Sequence, residues 1–526
     1  MKKGKFNFPV IKIEGSGGGS SPDPAVYCPA NGYIRDPEEW NPPIVVPEIT
    51  TESLTFICDA SKGDWDFYSR GWDLSINESE TPNYLYEIFD ENGTLVDSFY
   101  SQEDGVDYSF PDSTKIYTLR ISLTNQTFYS FFYNSVSGTN DGCLLQVVIN
   151  APYLRSITFQ GELNLNHIEF ISDTSYLTSL GNLFRDCSNM QYFKMPVNLQ
   201  RVHSMAAMAL NSGLRVLDMR DCLFTFNQGY WLADNIVRNC KYLREIHFPE
   251  YFPASRVYYA LQNTPRLEKV TMFSDHGGNM GDNNMLAYNY MFEKCAAEGE
   301  ISVPSSGLST MCQYMFQYSG FSKVTLFGDW SYIRYASGMF YYAEDLEEVI
   351  FPSKWQDLAT SKTVQTVFNT SCKALKRIVQ PDIGYVNLPS ANSPLEEISG
   401  DADTSIYSTK PYVTCPTGTS VRANLHTFNM PKLQPRRLWI GGSSSSYKMT
   451  ALTNVEVDWG SSGSWNYTHS SSPVIRIYAA IDATEINRIF TALRTVTDTK
   501  IIDVRYSDGY ADCDPTIAEA KGWTVL

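Results

Sequence analysis

Charge is scarce in this 526-residue chain: Asp, Glu, Lys and Arg together make up only 19% of it. What charge there is leans acidic, with 41 basic against 58 acidic side chains and a formal net charge of −17. That shortage of positive charge excludes a general nucleic-acid binder, which must displace counterions from phosphates with a basic face. No apolar run approaches the roughly 18 residues a membrane helix needs, so no membrane span is expected. The 11 cysteines, scattered from Cys28 to Cys513, include no C-x-x-C pair. A disulfide framework or a zinc site would space them more tightly, so reduced thiols are expected. His167, His203, His247, His276, His426 and His469 form no H-x-x-x-H, H-x-H or H-E-x-x-H. They read as lone residues on surfaces, and no metal centre is expected. A G-x-S-x-G elbow and a P-loop are missing too, so no cofactor and no enzymatic activity are expected. Met1-Lys2-Lys3 opens as a signal peptide does, but Lys5, Pro9, Lys12 and Glu14 interrupt any apolar core after it. Synthesis and folding in a cytoplasm are the expectation.

What is present is length, aromatic rings and repetition. The chain is too long for one ordinary core and suggests about three structural units. Aromatic residues reach 14%, with 34 tyrosines, which favours contact through Tyr-rich surfaces. Residues 1–50 are not a domain. Phe6, Phe8 and Val10 alternate as in a short strand, Lys12 and its neighbours make it basic, and GSGGGSS at 15–21 reads as a flexible linker before a Pro-rich stretch. Either this is a disordered tail or it anchors the chain to a partner by strand addition.

Residues 51–150 read as all-β. Tyr117, Leu119, Ile121 and Leu123 alternate with polar residues, the pattern of a half-buried strand. Tyr86–Phe89 and Leu95–Phe99 flank the turn residues Asp90-Glu91-Asn92-Gly93. Several short strands in about 100 residues predict an immunoglobulin-like sandwich. Asp64, Asp66 and Asp73 lack the spaced oxygen ligands of a calcium loop and read as solvated carboxylates.

From about residue 180 the chain repeats. Leu183-Phe184-x-x-Cys187-x-x-Met190, Ile236-Val237-x-x-Cys240-x-x-Leu243 and Met339-Phe340-x-x-Ala343-x-x-Leu346 share one template. A β-branched or aromatic residue follows three on, then often Pro. Aligned on the second apolar position, units fall at Phe184, Met208, Val237, Leu261, Phe292, Phe316, Phe340 and Phe368, at intervals of 24, 29, 24, 31, 24, 24 and 28 residues. That interval lies in the leucine-rich-repeat range of roughly 20–29. Each unit supplies one short strand and one helical or turn segment; neither buries its apolar face alone, so stacked units must share a core. Cys187, Cys240 and Cys295 occupy one template position with Asn211, Thr264, Ser319 and Ala343, which marks those cysteines as structural. The expected architecture is therefore β-rich α/β: the sandwich at 51–150, a solenoid at 151–400, and degenerate repeats with a C-terminal cap at 401–526.

The apolar-Phe-x-x-Cys-x-x-Leu-x-x-Ile/Val-x-Phe/Leu-Pro motif resembles the BspA-type leucine-rich repeat. The end of the chain, Ala483–Phe490 followed by Ile501–Val504, Cys513–Ala518 and Lys521–Val525, is similar to the ends of repeat-bearing virion proteins of tailed phages of Bacteroidetes hosts, crAss-like phages among them. The resemblance implies an exposed virion component, a tail fibre, head fibre or decoration, which contacts other virion proteins through its N-terminus and a host glycan or protein through its body. It is compatible with a homo-oligomer. A bacterial surface adhesin and a glycan depolymerase are the competing readings.

Candidate binding residues are the recurring aromatics: Tyr230 and Trp231, Tyr258 and Tyr259, Trp330 with Tyr332 and Tyr335, and Tyr341 and Tyr342. Either they fill the solenoid or they form a face for sugars or proteins. A depolymerase needs two carboxylates roughly 5–9 Å apart. Glu245, Glu268 and Glu348 fall in or beside one column, but Arg244, Lys269 and Lys323 share it, which predicts a salt-bridged face.

Overall fold

The computed structural model describes residues 51–65, 83–102, 106–123, 142–190, 192–225, 232–274, 285–306, 309–330, 333–352, 393–400, 419–442, 444–461 and 472–526, with short stretches at 26–28, 33–35, 73–76, 128–134, 367–368, 372–379, 412–415 and 464–465. The basic segment of Phe6, Phe8, Val10 and Lys12 lies outside them, as do Tyr230, Trp231 and Tyr332.

Strand Ser53–Asp59 sits at the centre of the first sheet because its neighbours offer apolar partners on both sides. Phe56 faces Leu119 of Ile116–Leu123 and Val147 of Leu144–Asn150, both antiparallel. Tyr84–Phe89 continues the sheet, and Leu95–Ser101 closes it as an edge. The turn between those two strands forms as expected: Gly93 takes φ 78°, and Asp90 Oδ1 accepts the N–H groups of Asn92 and Thr94. Ile116–Leu123, however, is buried on both faces rather than one. As a central strand it has its polar side chains covered too: Arg120 stands 3.7 Å from Glu87 and 4.9 Å over the Phe89 ring. Asp64 accepts hydrogen bonds from Ser109 Oγ and the Phe110 N–H, so its oxygens serve a loop.

The sheet does not end at residue 150. On its free side Leu144–Asn150 pairs in parallel with His167–Phe170, which pairs with Tyr192–Phe193. A second sheet makes the same change, Asp73–Ile76 antiparallel to Phe128–Asn134 and that strand parallel to Ser156–Gln160. From there the chain winds as stacked coils joined by parallel ladders. One ladder runs Val216–Asp218, Glu245–His247, Lys269–Thr271. Another has seven strands, from Gly299–Ser306 and Phe321–Asp329 through Glu348–Ile350, Arg377–Val379, Glu397–Ser399 and Thr427–Asn429 to Asn454–Glu456. Inside lies one continuous apolar core running from Leu54 to Trp523. Phe292, Phe316, Phe340 and Phe368 stack through it at 5.1, 5.4 and 5.2 Å between ring centroids.

The segment carrying the apolar pair is not a helix. In residues 180–187 the N–H groups of Leu180, Asn182, Phe184 and Asp186 donate to the carbonyls of Ser204, Ala206, Met208 and Leu210 in the next coil, at 2.8–3.0 Å. The intervening N–H groups of Leu183, Arg185 and Cys187 close turns three residues back. Such turns with φ > 0 at the third residue put two left-handed positions in each coil: Asn182 and Asp186, Ala207 and Asn211, Asn235 and Asn239, Tyr259 and Asn263, Tyr290 and Lys294, Tyr314 and Tyr318, Gly338 and Tyr342. This backbone also moves one unit. Asn211, not Leu210, is left-handed, so the second apolar pair is Met208–Ala209 and the residue equivalent to Cys187 is Ser212 rather than Asn211. Ser212 Oγ accordingly lies 3.4 Å from Cys240 Sγ.

The cysteines at that position serve the core. Cys187 and Cys240, and Cys372 one residue beyond the equivalent place, direct their thiols at the carbonyls of Phe159, Ala209 and Phe340 in the preceding coil, at 3.0, 2.9 and 3.2 Å. Burial pushes the Cys240 thiol up to about 12 and Cys295 to about 11. The ten cysteines from Cys58 to Cys513 are free thiols. The last coils carry helix Ala483–Ala492, capped by Asp482 accepting from the Glu485 N–H at 2.8 Å, and strands Lys500–Asp503 and Trp523–Val525 of a five-stranded parallel sheet.

Candidate binding surface

The left-handed positions bring distant residues into two outward columns. In the first, Tyr259 and Tyr290 stack at 4.8 Å between centroids and 15° between planes, and Tyr290 and Tyr314 at 5.1 Å and 21°. Tyr341 meets Tyr314 edge-on at 5.8 Å, and the Arg238 guanidinium covers the other end, 4.9 Å from the Tyr259 ring. The second column begins as a polar ladder, with Asn211 Nδ2 donating to Asp186, Asn239 to Asn211 and Asn263 to Asn239, at 2.6, 2.9 and 2.9 Å. It ends in Tyr318 and Tyr342, stacked at 4.7 Å and 2°.

Five of these tyrosines hold φ between 53° and 57°. A bulky side chain in that region is rare and costs on the order of 1–2 kcal/mol. The ladder to the next coil fixes the backbone there, and the stacked neighbour stabilises the ring by about 0.5–1.5 kcal/mol. Burial and the neighbouring phenols raise the pKa of Tyr290. Tyr318 and Tyr342 are 47% and 39% exposed, while Tyr259, Tyr290, Tyr314 and Tyr341 are half-buried.

Of the residues expected from the sequence, Tyr259, Tyr341 and Tyr342 belong to this surface. Tyr258 lies apart from it, 5.0 Å from the Arg256 guanidinium, which in turn is paired with Asp234. Tyr335 is exposed on strand Ile333–Tyr335. Trp330 is a correction: it is fully buried, stacked 6.2 Å from Tyr288, with its indole N–H donated to the Phe327 carbonyl at 2.8 Å. Tyr290, Tyr314 and Tyr318 were missed. Their signal is the offset from the apolar pair, two residues before or after its second member, and not the adjacency of two aromatics.

Two histidines are also placed differently from expectation. His167 and His247 are 5% and 3% exposed, each beside a glutamate on its own strand, Glu169 at 3.8 Å and Glu245 at 2.9 Å. Of the expected salt-bridged face, Lys323 and Glu348 form an ion pair. Glu300, Lys323, Glu348, Arg377 and Glu397 lie side by side on successive coils, with Lys323 at 3.2 and 3.7 Å from Glu300 and Glu348, and Arg377 at 2.9 and 3.1 Å from Glu348 and Glu397. A cation separates each carboxylate from the next.

Stacked coils of 24–31 residues with a shared apolar template define a leucine-rich-repeat solenoid. The family described as BspA type leucine-rich repeat region (6 copies) matches residues 106–229, 152–277, 224–335 and 282–382, together more than half of the chain, and the chain belongs to that family. No curated protein matches it.

Proposed function

We propose that the chain is a non-enzymatic binding scaffold on the exterior of a phage particle, a fibre or decoration that mediates attachment or assembly. The row Tyr259–Tyr290–Tyr314–Tyr341, with Tyr318 and Tyr342 beside it, carries the reading. Tyr290 gives both ring faces to stacked neighbours, and Tyr259, Tyr314, Tyr318 and Tyr342 give one each. That arrangement suits a protein surface better than a pyranose, which would need an open ring face. The side chains are already ordered, so docking loses little rotamer freedom. In this reading residues 1–50 anchor the chain to other virion proteins, and the antiparallel unit is an immunoglobulin-like spacer. Many copies on one particle would convert weak contacts into avidity.

Membership of the BspA-type family supports a second reading, a bacterial surface adhesin using the same face. A depolymerase is disfavoured by the alternating charges of the Glu300–Glu397 column. Peptide mass spectrometry on purified particles and on bacterial envelopes separates the first two: stoichiometric recovery from virions is expected, and recovery from envelopes alone refutes the virion role. A Tyr318→Ala/Tyr342→Ala variant is expected to keep its circular dichroism spectrum and lose binding to host cells or to its virion partner.

A further inference from the structure

The C-terminal sheet carries a second surface of different chemistry. In strands Arg437–Ile440, Ile475–Ile477 and Lys500–Asp503 the side chains of Leu438, Ile440, Ile475, Ile477 and Ile502 are fully buried in the core. Alternation turns Arg437, Trp439, Arg476 and Asp503 to the opposite face. Register sets Trp439 beside Arg476 and Arg476 beside Asp503.

The Trp439 indole is fixed by its N–H donating to the Pro473 carbonyl at 2.9 Å. Two guanidiniums lie against that ring, Arg437 at 4.0 Å and Arg476 at 4.3 Å from its centroid, and Arg476 is also 5.6 Å from the Tyr478 ring. Asp503 is the acid nearest in register, yet its oxygens are engaged elsewhere. Arg505 donates to both of them at 3.0 and 2.9 Å, and the Tyr478 hydroxyl donates to Oδ2 at 2.6 Å. Asp503 is 1% exposed and already neutralised. Arg476, half-buried, has no hydrogen bond or ion pair among the described residues, and its Nε is shut away from solvent without an acceptor.

A half-buried guanidinium held against an aromatic ring, with no carboxylate among the described residues, is an incomplete ion pair. The planar N–H fork of a guanidinium is the geometry that takes two coplanar oxygens at once. On a chain of net charge −17, a guanidinium with no carboxylate partner among the described residues forms a local cationic site. We propose that Arg476, oriented by Trp439 and assisted by Arg437, binds a carboxylate anion supplied by a ligand, in a site separate from the tyrosine row. The proposal is independent of whether the chain serves a virion or a bacterial envelope.

Titration calorimetry on the full chain tests it with three probes: an oligogalacturonate, its methyl ester, and a polyglutamate peptide. Saturable binding of a carboxylate probe is expected, weakened by added salt and not shown by the ester. Arg476→Gln is expected to lower the affinity roughly ten- to a hundredfold, the worth of a charge-assisted hydrogen bond. Arg476→Lys keeps the charge but not the planar fork and is expected to restore only part of it. The probe that binds more tightly identifies the source as acidic sugar or acidic peptide. Failure of both acidic probes, equal binding of the ester, or affinity unchanged in Arg476→Gln with native circular dichroism would overturn the proposal.

Discussion

Replacing Phe316 by alanine tests whether stability in this molecule is local to neighbouring coils. The ring is fully buried and sandwiched between Phe292 and Phe340 at 5.1 and 5.4 Å, with Phe321 edge-on at 6.0 Å. Truncating a buried phenylalanine costs about 3–5 kcal/mol through lost transfer energy and the cavity left behind. Because the ring contributes to the interfaces on both sides of its coil, the loss weakens two junctions and leaves distant ones intact. Hydrogen exchange read by mass spectrometry resolves this. Amides in residues 285–306, 309–330 and 333–350 are expected to exchange on the order of a hundred- to a thousandfold faster, since each 1.4 kcal/mol is tenfold. Amides of Ser53–Asp59 and Ala483–Ala492 are expected to keep their protection. Uniform acceleration over the whole chain would refute the nearest-neighbour reasoning, and acceleration below tenfold would refute the assignment of Phe316 to a tight core.

Gly338 is the only glycine among the left-handed turn positions, at φ 68°, and a Cβ there would fall 2.4 Å from the Tyr314 ring. Gly338→Ala is expected to lower stability by roughly 1–2 kcal/mol and to unstack Tyr314 from Tyr290, read as a changed near-ultraviolet circular dichroism signal. Of the ten cysteines from Cys58 to Cys513, only Cys513 is not buried, and iodoacetamide is expected to label it alone among them in the native state; rapid labelling of Cys187 or Cys240 would contradict the core placement. The Ser399 hydroxyl and the Arg377 guanidinium hold the Glu397 carboxyl below the usual range. Its folded pKa is therefore the lower one, so its contribution is full above an unfolded value of about 4.3 and fades as pH falls through the folded value. Glu397→Gln is expected to flatten the drop in melting temperature between about pH 5 and pH 3. A steeper drop in the variant would reverse the sign.

Repetition was legible because packing imposes it: Phe292, Phe316, Phe340 and Phe368 must recur at coil spacing to meet in one stack. The left-handed turns were only half legible, because Asn, Asp or Gly, the residues that tolerate them, occupy seven of the fourteen positions and Ala, Lys and Tyr the other seven. Hydrogen bonds between coils impose that backbone whatever the local preference, which also explains why a turn stands where a helix was allowed. The one-residue shift at Met208–Ala209 has the same origin, since alanine hid the second member of the pair. Trp330 looked like a surface aromatic because it lies near Tyr332 and Tyr335 in sequence, but the chain turns it inward to meet Tyr288. His167 and His247 looked solitary because a glutamate two residues away on the same strand is invisible to motif searches that ask for metal ligands. Arg476 had no signature of its own, since its isolation depends on Arg505 having claimed Asp503.

Strand Leu144–Asn150, antiparallel to Ser53–Asp59 on one side and parallel to His167–Phe170 on the other, has a consequence for biogenesis. As the chain leaves the ribosome, the antiparallel unit can close first and hold out a finished strand edge. At roughly 5–20 residues per second a new coil of about 24 residues follows every few seconds. Each coil is laid on a seed already in register, so the solenoid is built in one direction, like a wall from its first course.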